Sequence, residues 1–87
     1  MFCVYVLRSE KDGKYYIGQT ANLEKRIKRH NTGHVKSTRH RRPFTLVYHE
    51  VFETRAEAMR TETYFKSGAG HEYIQNKISE SDFAEKR

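Results

Sequence analysis

Valine, tyrosine and isoleucine dominate residues 2–8 and 14–19, and the two runs bracket a polar tetrapeptide, EKDG, at 10–13. The pattern predicts a β-hairpin with Gly13 at the turn position that needs a positive φ. A four-residue loop pairs Ser9 with Lys14, and therefore Leu7 with Tyr16 and Tyr5 with Gly18. In that register Tyr5 and Tyr16 are diagonal neighbours on one face, and the missing side chain of Gly18 leaves space beside the Tyr5 ring. Val4, Val6, Tyr15 and Ile17 take the other face.

Beyond Asn22, a good N-cap, the period becomes helical: Leu23 and Ile27 point inward, and the Gly33 stop signal closes a helix of about ten residues. Arg26 and His30, four apart, form a stripe beside the apolar one and lean over the sheet, while Lys25 and Arg29 point elsewhere. Residues 33–43 have no periodicity and read as a loop, long enough to carry function. The segment FTLVYHEVF, 44–52, reads as a third strand. Thr54 and Glu57 form a capping box opening a helix that runs to about Lys66. Gly68 and Gly70 are expected to break it, with 71–78 a short last helix that turns Tyr73, Ile74 and Ile78 inward. The element order is β-β-α-β-α-α, in a single domain over 1–78 with a frayed tail at 79–87.

Composition narrows the class. The 87 residues suffice for one small core, to which six tyrosines and five phenylalanines contribute much of the bulk. Arg8 ends the N-terminal apolar run too early for a signal peptide or a membrane span, which predicts a cytoplasmic protein with no membrane partner. The lone Cys3, inside an apolar run, reads as a small buried hydrophobe. Between Glu24 and Arg42, eight Lys and Arg face one acid, so this stretch carries +7 of a chain whose net charge is +6. Such a block either merely solubilises the surface or binds a polyanion, and phosphate backbones are the favoured partner. Lys25, Arg29, Lys36, Arg39, Arg41 and Arg42 are the candidate contacts.

Glu62 falls between Ala58 and Phe65 on the apolar stripe of the second long helix. Burying a carboxylate unpaired costs several kcal/mol. It must therefore pair with a base such as Arg26, sit partly exposed in a cleft, or bind a cation. One carboxylate is a poor calcium site but can hold a magnesium-like ion that keeps most of its waters and shares a substrate phosphate.

Tyr5, the YIGQT of 16–20, the NLEKRIKRH of 22–30 and the AMRTETYFK of 58–66 together resemble the GIY-YIG nucleases, particularly their small stand-alone bacterial members. The likeness extends through RRPFTLVYHE at 41–50. The first triplet departs from the family name, since Cys3-Val4-Tyr5 keeps only its tyrosine. The resemblance implies an α/β (α+β) domain, a three-stranded antiparallel sheet flanked by helices, that hydrolyses phosphodiesters with one divalent ion, Mg2+ or Mn2+. It assigns the family's tyrosines to Tyr5 and Tyr16, its arginine to Arg26, its helix histidine to His30 and its metal-binding glutamate to Glu62. A further family asparagine has Asn76 as its candidate. On this reading Tyr5 is the general base, acting as phenolate in a cleft that Gly18 keeps open. The competing reading is a nucleic-acid-binding module without catalysis. Zinc binding by His30 and His34 fails for want of further ligands.

Overall fold

Three layers form: one helix, a sheet, and two helices. The computed structural model describes residues 1–85, and of residues 81–85 the backbone alone. Strands β1 (Phe2–Ser9), β2 (Tyr15–Thr20) and β3 (Phe44–Phe52) make one antiparallel sheet in the order β2-β1-β3. Helices α1 (Leu23–Asn31), α2 (Arg55–Phe65) and α3 (Gly68–Glu85) complete the order β-β-α-β-α-α. Five successive residues of β1, Cys3 to Leu7, are buried, as a central strand covered on both faces requires. Val4, Val6 and Ile17 pack with Ala58 and Phe65 of α2 and Ile74 of α3. On the opposite face Cys3, Tyr5, Leu7 and Phe44 pack with Leu23 and Ile27 of α1.

The hairpin has the predicted register: Leu7 faces Tyr16 and Tyr5 faces Gly18, with Gly13 at φ 72°. Its turn is tied by Ser9 Oγ, which accepts from the Lys11 and Asp12 N–H groups at 3.1 Å each and donates to the Arg41 carbonyl at 2.6 Å. The expected space beside Tyr5 is filled by Tyr5 itself. A β-carbon on Gly18 would lie 2.6 Å from the phenol oxygen and 2.8 Å from Cζ, so the ring lies directly on the glycine backbone. Gly18 therefore does not hold a cleft open; it makes room for a buried phenol.

Strand β3 departs from simple alternation. Its pairing to β1 slips between Val6↔Tyr48 and Leu7↔Leu46, leaving Val47 as an extra residue. This bulge turns Phe44 and Leu46 toward the α1 face and Tyr48 and Phe52 toward the other. Asn31, at the end of α1, spans Phe44: its Nδ2 donates to the Phe44 carbonyl at 3.1 Å and its Oδ1 accepts from the Phe44 N–H at 2.7 Å. Both ends of the loop are thereby held together.

The caps are those predicted, with Asn22 Oδ1 accepting from the Lys25 N–H and Thr54 Oγ1 from the Glu57 N–H, each worth about 1 kcal/mol. The last helix differs from expectation. The expected interruption falls at residues 66–67, and Gly68 and Gly70 themselves begin α3; a β-carbon on Gly70 would stand 1.7 Å from the Tyr64 carbonyl oxygen. Only a glycine lets α3 start so close to the end of α2. The segment read as a frayed tail continues α3 as far as Glu85, residues 86–87 lying outside the described residues.

The contact between Tyr5 and Gly18 yields a stability prediction. Gly18→Ala should destabilise the fold by about 1–3 kcal/mol, as overpacking of a tight core does. In a Tyr5→Leu background the same change should cost much less in urea denaturation, and an equal cost in both backgrounds would contradict the packing described.

Candidate active site

Three residues from three elements meet beneath α1. Tyr5 comes from the central strand, His30 from the last turn of α1, and Tyr16 from β2. The Tyr5 hydroxyl and His30 Nε2 are 3.1 Å apart. The Tyr16 ring lies 4.8 Å from the His30 ring and 6.3 Å from that of Tyr5, centroid to centroid. Tyr5 is 1% exposed and His30 0%. No other side chain or backbone acceptor reaches the Tyr5 hydroxyl among the described residues, so a buried phenol proton has one place to go, and Tyr5 donates to His30 Nε2. His30 Nδ1 lies 2.9 Å from Thr38 Oγ1, a residue of the loop that the sequence reading passed over. Nothing in a non-periodic, Ser/Thr-rich stretch distinguishes Thr38 until the fold brings it against His30.

Burial fixes the charge states. It pushes the Tyr5 phenol far above its usual range, with the neighbouring Tyr16 and then Glu62 adding to the shift and the Arg26 guanidinium opposing it. Tyr5 is therefore a neutral phenol, not the ready phenolate expected from the sequence. His30 moves the other way: burial, then the Arg26 and Arg29 charges, hold it below an ordinary imidazole. It is neutral at neutral pH and able to accept a proton. The Cys3 thiol is raised by burial, consistent with an inert core position.

Arg26 and Glu62 approach from opposite layers. Arg26 is half-buried on α1 and lines a shallow cavity of about 150 Å3 with Thr20, Asn22, Lys25 and Arg29. It makes no ion pair among the described residues, so the pairing of Arg26 with Glu62 considered from the sequence does not occur. Glu62 belongs to α2, which packs through Ala58 and Phe65 on the sheet face opposite Tyr5. Its charge nevertheless reaches Tyr5. The carboxylate is 20% exposed, and its Oε2 accepts from Lys66 Nζ at 2.7 Å in a solvent-exposed pair one helical turn apart. Oε1 has no hydrogen bond among the described residues. Nor do three or more His, Cys, Asp or Glu side chains converge there as a metal cage. This donor set fits a cation held by one carboxylate and its own waters, the mode natural to magnesium.

The basic loop folds on itself. Arg39 Nε donates to the Gly33 carbonyl and Arg42 Nε to the Arg39 carbonyl, at 3.0 and 2.9 Å; both residues remain exposed, and the Arg42 guanidinium lies over Gly33. Arg41 is different: it pairs with Asp12 at 2.9 Å, donates to the Tyr15 carbonyl and lies over the Phe44 ring. The Lys14 N–H and then Arg41 hold the Asp12 carboxyl down to about 2. Arg41, read from the sequence as a phosphate contact, is thus committed to fastening the loop to the hairpin. Lys11, Arg39, His40 and Arg42 line an open groove with Asn31 and Pro43. Lys25, Arg29 and Lys36 are exposed. Asn76 is exposed on α3 and makes no side-chain hydrogen bond among the described residues, so its assignment gains nothing from the fold. No helix among the described residues is long and apolar enough to cross a membrane.

The comparisons with known proteins bear on the family and the fold. A family model described as the GIY-YIG catalytic domain matches residues 1–75. Among similar proteins, a UPF0213 protein of Bacillus licheniformis is 54% identical over 71% of this chain and 64% of its own length. Another, of Clostridium perfringens, is 48% identical over 83% of this chain and 77% of its own. The chain thus spans just under two thirds of the Bacillus licheniformis relative. The solution NMR structure of the UPF0213 protein BH0048 from Bacillus halodurans superposes with a TM-score of 0.55 and 39% identity, covering 87% of this chain and 84% of that one. On these grounds the chain belongs to the GIY-YIG catalytic-domain family.

Proposed function

We propose that this protein is a divalent-metal-dependent nuclease that hydrolyses phosphodiester bonds of nucleic acid, DNA ahead of RNA. The observation that carries the reading is the buried hydrogen bond from Tyr5 to a neutral His30, with Arg26, which makes no ion pair among the described residues, close enough for its charge to act on both. Hydrolysis requires water to lose a proton as it attacks phosphorus. Tyr5 Oη takes that proton while its own passes to His30 Nε2, so neither a free phenolate nor a charged imidazole has to pre-exist. Arg26 offers a planar, permanently charged fork to the phosphoryl oxygens as charge grows on them. Tyr16 packs against the His30 ring and helps to hold it in line. Glu62 would hold a Mg2+ or Mn2+ ion, which when bound neutralises phosphoryl charge and stabilises the leaving oxygen. Lys25, Arg29, Lys36, Arg39 and Arg42 supply the polyanion-binding surface.

The direct test is incubation of the purified protein with labelled DNA and RNA of several shapes in magnesium, in manganese or with EDTA. Cleavage that EDTA abolishes is expected; binding without cleavage of any substrate would leave a nucleic-acid-binding module instead. Glu62→Gln should abolish cleavage yet retain binding. Because the partner of Glu62 is an exposed lysine, its loss should cost under about 1 kcal/mol in thermal melts.

Two further outcomes follow from the charges. Arg39→Ala with Arg42→Ala should weaken binding to all sequences alike and flatten the slope of log K against log salt. Arg41→Ala should lower stability more than it alters that slope, as titrations at several salt concentrations can separate. The second outcome concerns His30, whose folded pKa lies below its unfolded value near 6.5. The unfolded chain therefore binds the proton first, so stability should fall as pH drops below about 6.5 and rise again as pH is restored. Urea unfolding of wild type and His30→Gln across pH 5–8 should show this pH dependence diminished in the variant.

A further inference from the structure

Both nitrogens of the His30 ring are engaged, and the ring is enclosed by Tyr5, Tyr16 and Phe44 with no exposed surface. Nε2 stands 3.1 Å from the Tyr5 hydroxyl and Nδ1 2.9 Å from Thr38 Oγ1. Thr38 is itself 1% exposed, and its Oγ1 lies 3.4 Å from the Val35 carbonyl oxygen. A neutral imidazole carries a single proton, and only one of the two placements satisfies every group. With the proton on Nδ1, His30 donates to Thr38, Thr38 donates to Val35, and Nε2 is free to accept from Tyr5. With the proton on Nε2, His30 donates to Tyr5, whose own phenol proton is then buried without an acceptor, at a cost of about 1–3 kcal/mol.

We propose that Thr38 is a positioning residue that holds His30 in the Nδ1–H tautomer and so keeps Nε2 ready to receive the Tyr5 proton. This rests on the reading of Tyr5 and His30 as the proton relay. The hydrogen bond to the far nitrogen decides which nitrogen of a histidine is bare. Here that bond comes from the basic loop. Thr38 directly precedes the turn at Arg39–Arg41, and its carbonyl accepts from the Arg41 N–H at 2.9 Å. The segment presenting Arg39 and Arg42 to a phosphate backbone therefore also sets the state of the base.

The test uses the whole chain labelled with 15N. Long-range proton–nitrogen spectra of the His30 ring are compared for wild type, Thr38→Ser and Thr38→Val, with single-turnover cleavage and nucleic-acid binding measured on the same samples. The wild-type ring should show a protonated Nδ1 and a bare Nε2. Thr38→Ser, which keeps the oxygen, should retain both that signature and the cleavage rate. Thr38→Val keeps the volume but loses the acceptor; the tautomer preference should collapse and cleavage fall about 10- to 100-fold, as loss of an orienting partner of a functional histidine typically gives. Binding should be unchanged, since the substituted side chain is buried. A wild-type ring protonated on Nε2, or a Thr38→Val protein with the wild-type signature and rate, would overturn the proposal. Should Thr38→Val fail to fold, the wild-type and Thr38→Ser spectra still decide it. If no protein cleaves any substrate, the nuclease reading falls while the spectra still test Thr38 independently.

Discussion

The hydrogen bond between Tyr5 and His30 is the constraint on which the rest of the site depends. A phenol and an imidazole placed in a core this small must satisfy each other, because each unpaired polar group would cost about 1–3 kcal/mol. Each layer contributes to that pairing. The central strand supplies Tyr5, the neighbouring strand supplies a glycine backbone for its ring to lie on, and α1 brings His30 down from above. The bulge in β3 then turns Phe44 onto the same face, where it closes the edge of the His30 ring. Asn31 fixes Phe44 to the end of the helix that carries His30, so the ring and its cover are tied to the same element.

Charge is distributed around that pair in two senses. Arg26 lies on the α1 side and favours negative charge at the Tyr5 oxygen, whereas Glu62, from the α2 layer, opposes it. Burial outweighs both, which makes a relayed proton the chemistry the site supports and a standing phenolate the one it resists. A cation at Glu62 would oppose that carboxylate's effect on Tyr5. The arginines of the loop divide similarly by context. Arg41 meets an acid and an aromatic ring and becomes structural, while Arg39 and Arg42 hydrogen-bond carbonyl oxygens through Nε and remain exposed.

Local rules carried the hairpin register, both helix caps, the third strand and the face shared by Tyr5 and Tyr16, because turn length and side-chain parity determine them. Features that depend on contacts between distant segments were not legible. A strict alternation through 44–52 places Phe44 and Tyr48 on one face, and only the slip at Val47 separates them. Gly68 and Gly70 look like helix breakers until the close approach of α3 to the Tyr64 carbonyl gives a glycine another purpose. Thr38 carries no pattern, and the commitment of Arg41 to Asp12 joins residues 29 apart in sequence. Helical spacing placed Glu62 near the core, but it could not tell which side of the sheet the helix would cover.

The most direct measurement is single-turnover cleavage by Tyr5→Phe beside wild type, with nucleic-acid binding and the thermal melt followed on the same preparations. This change deletes the oxygen that links the attacking water to His30 and leaves the ring on Gly18. The account predicts a rate lower by about a hundredfold or more, with affinity unchanged and the fold intact. Cleavage by Tyr5→Phe at the wild-type rate would contradict it.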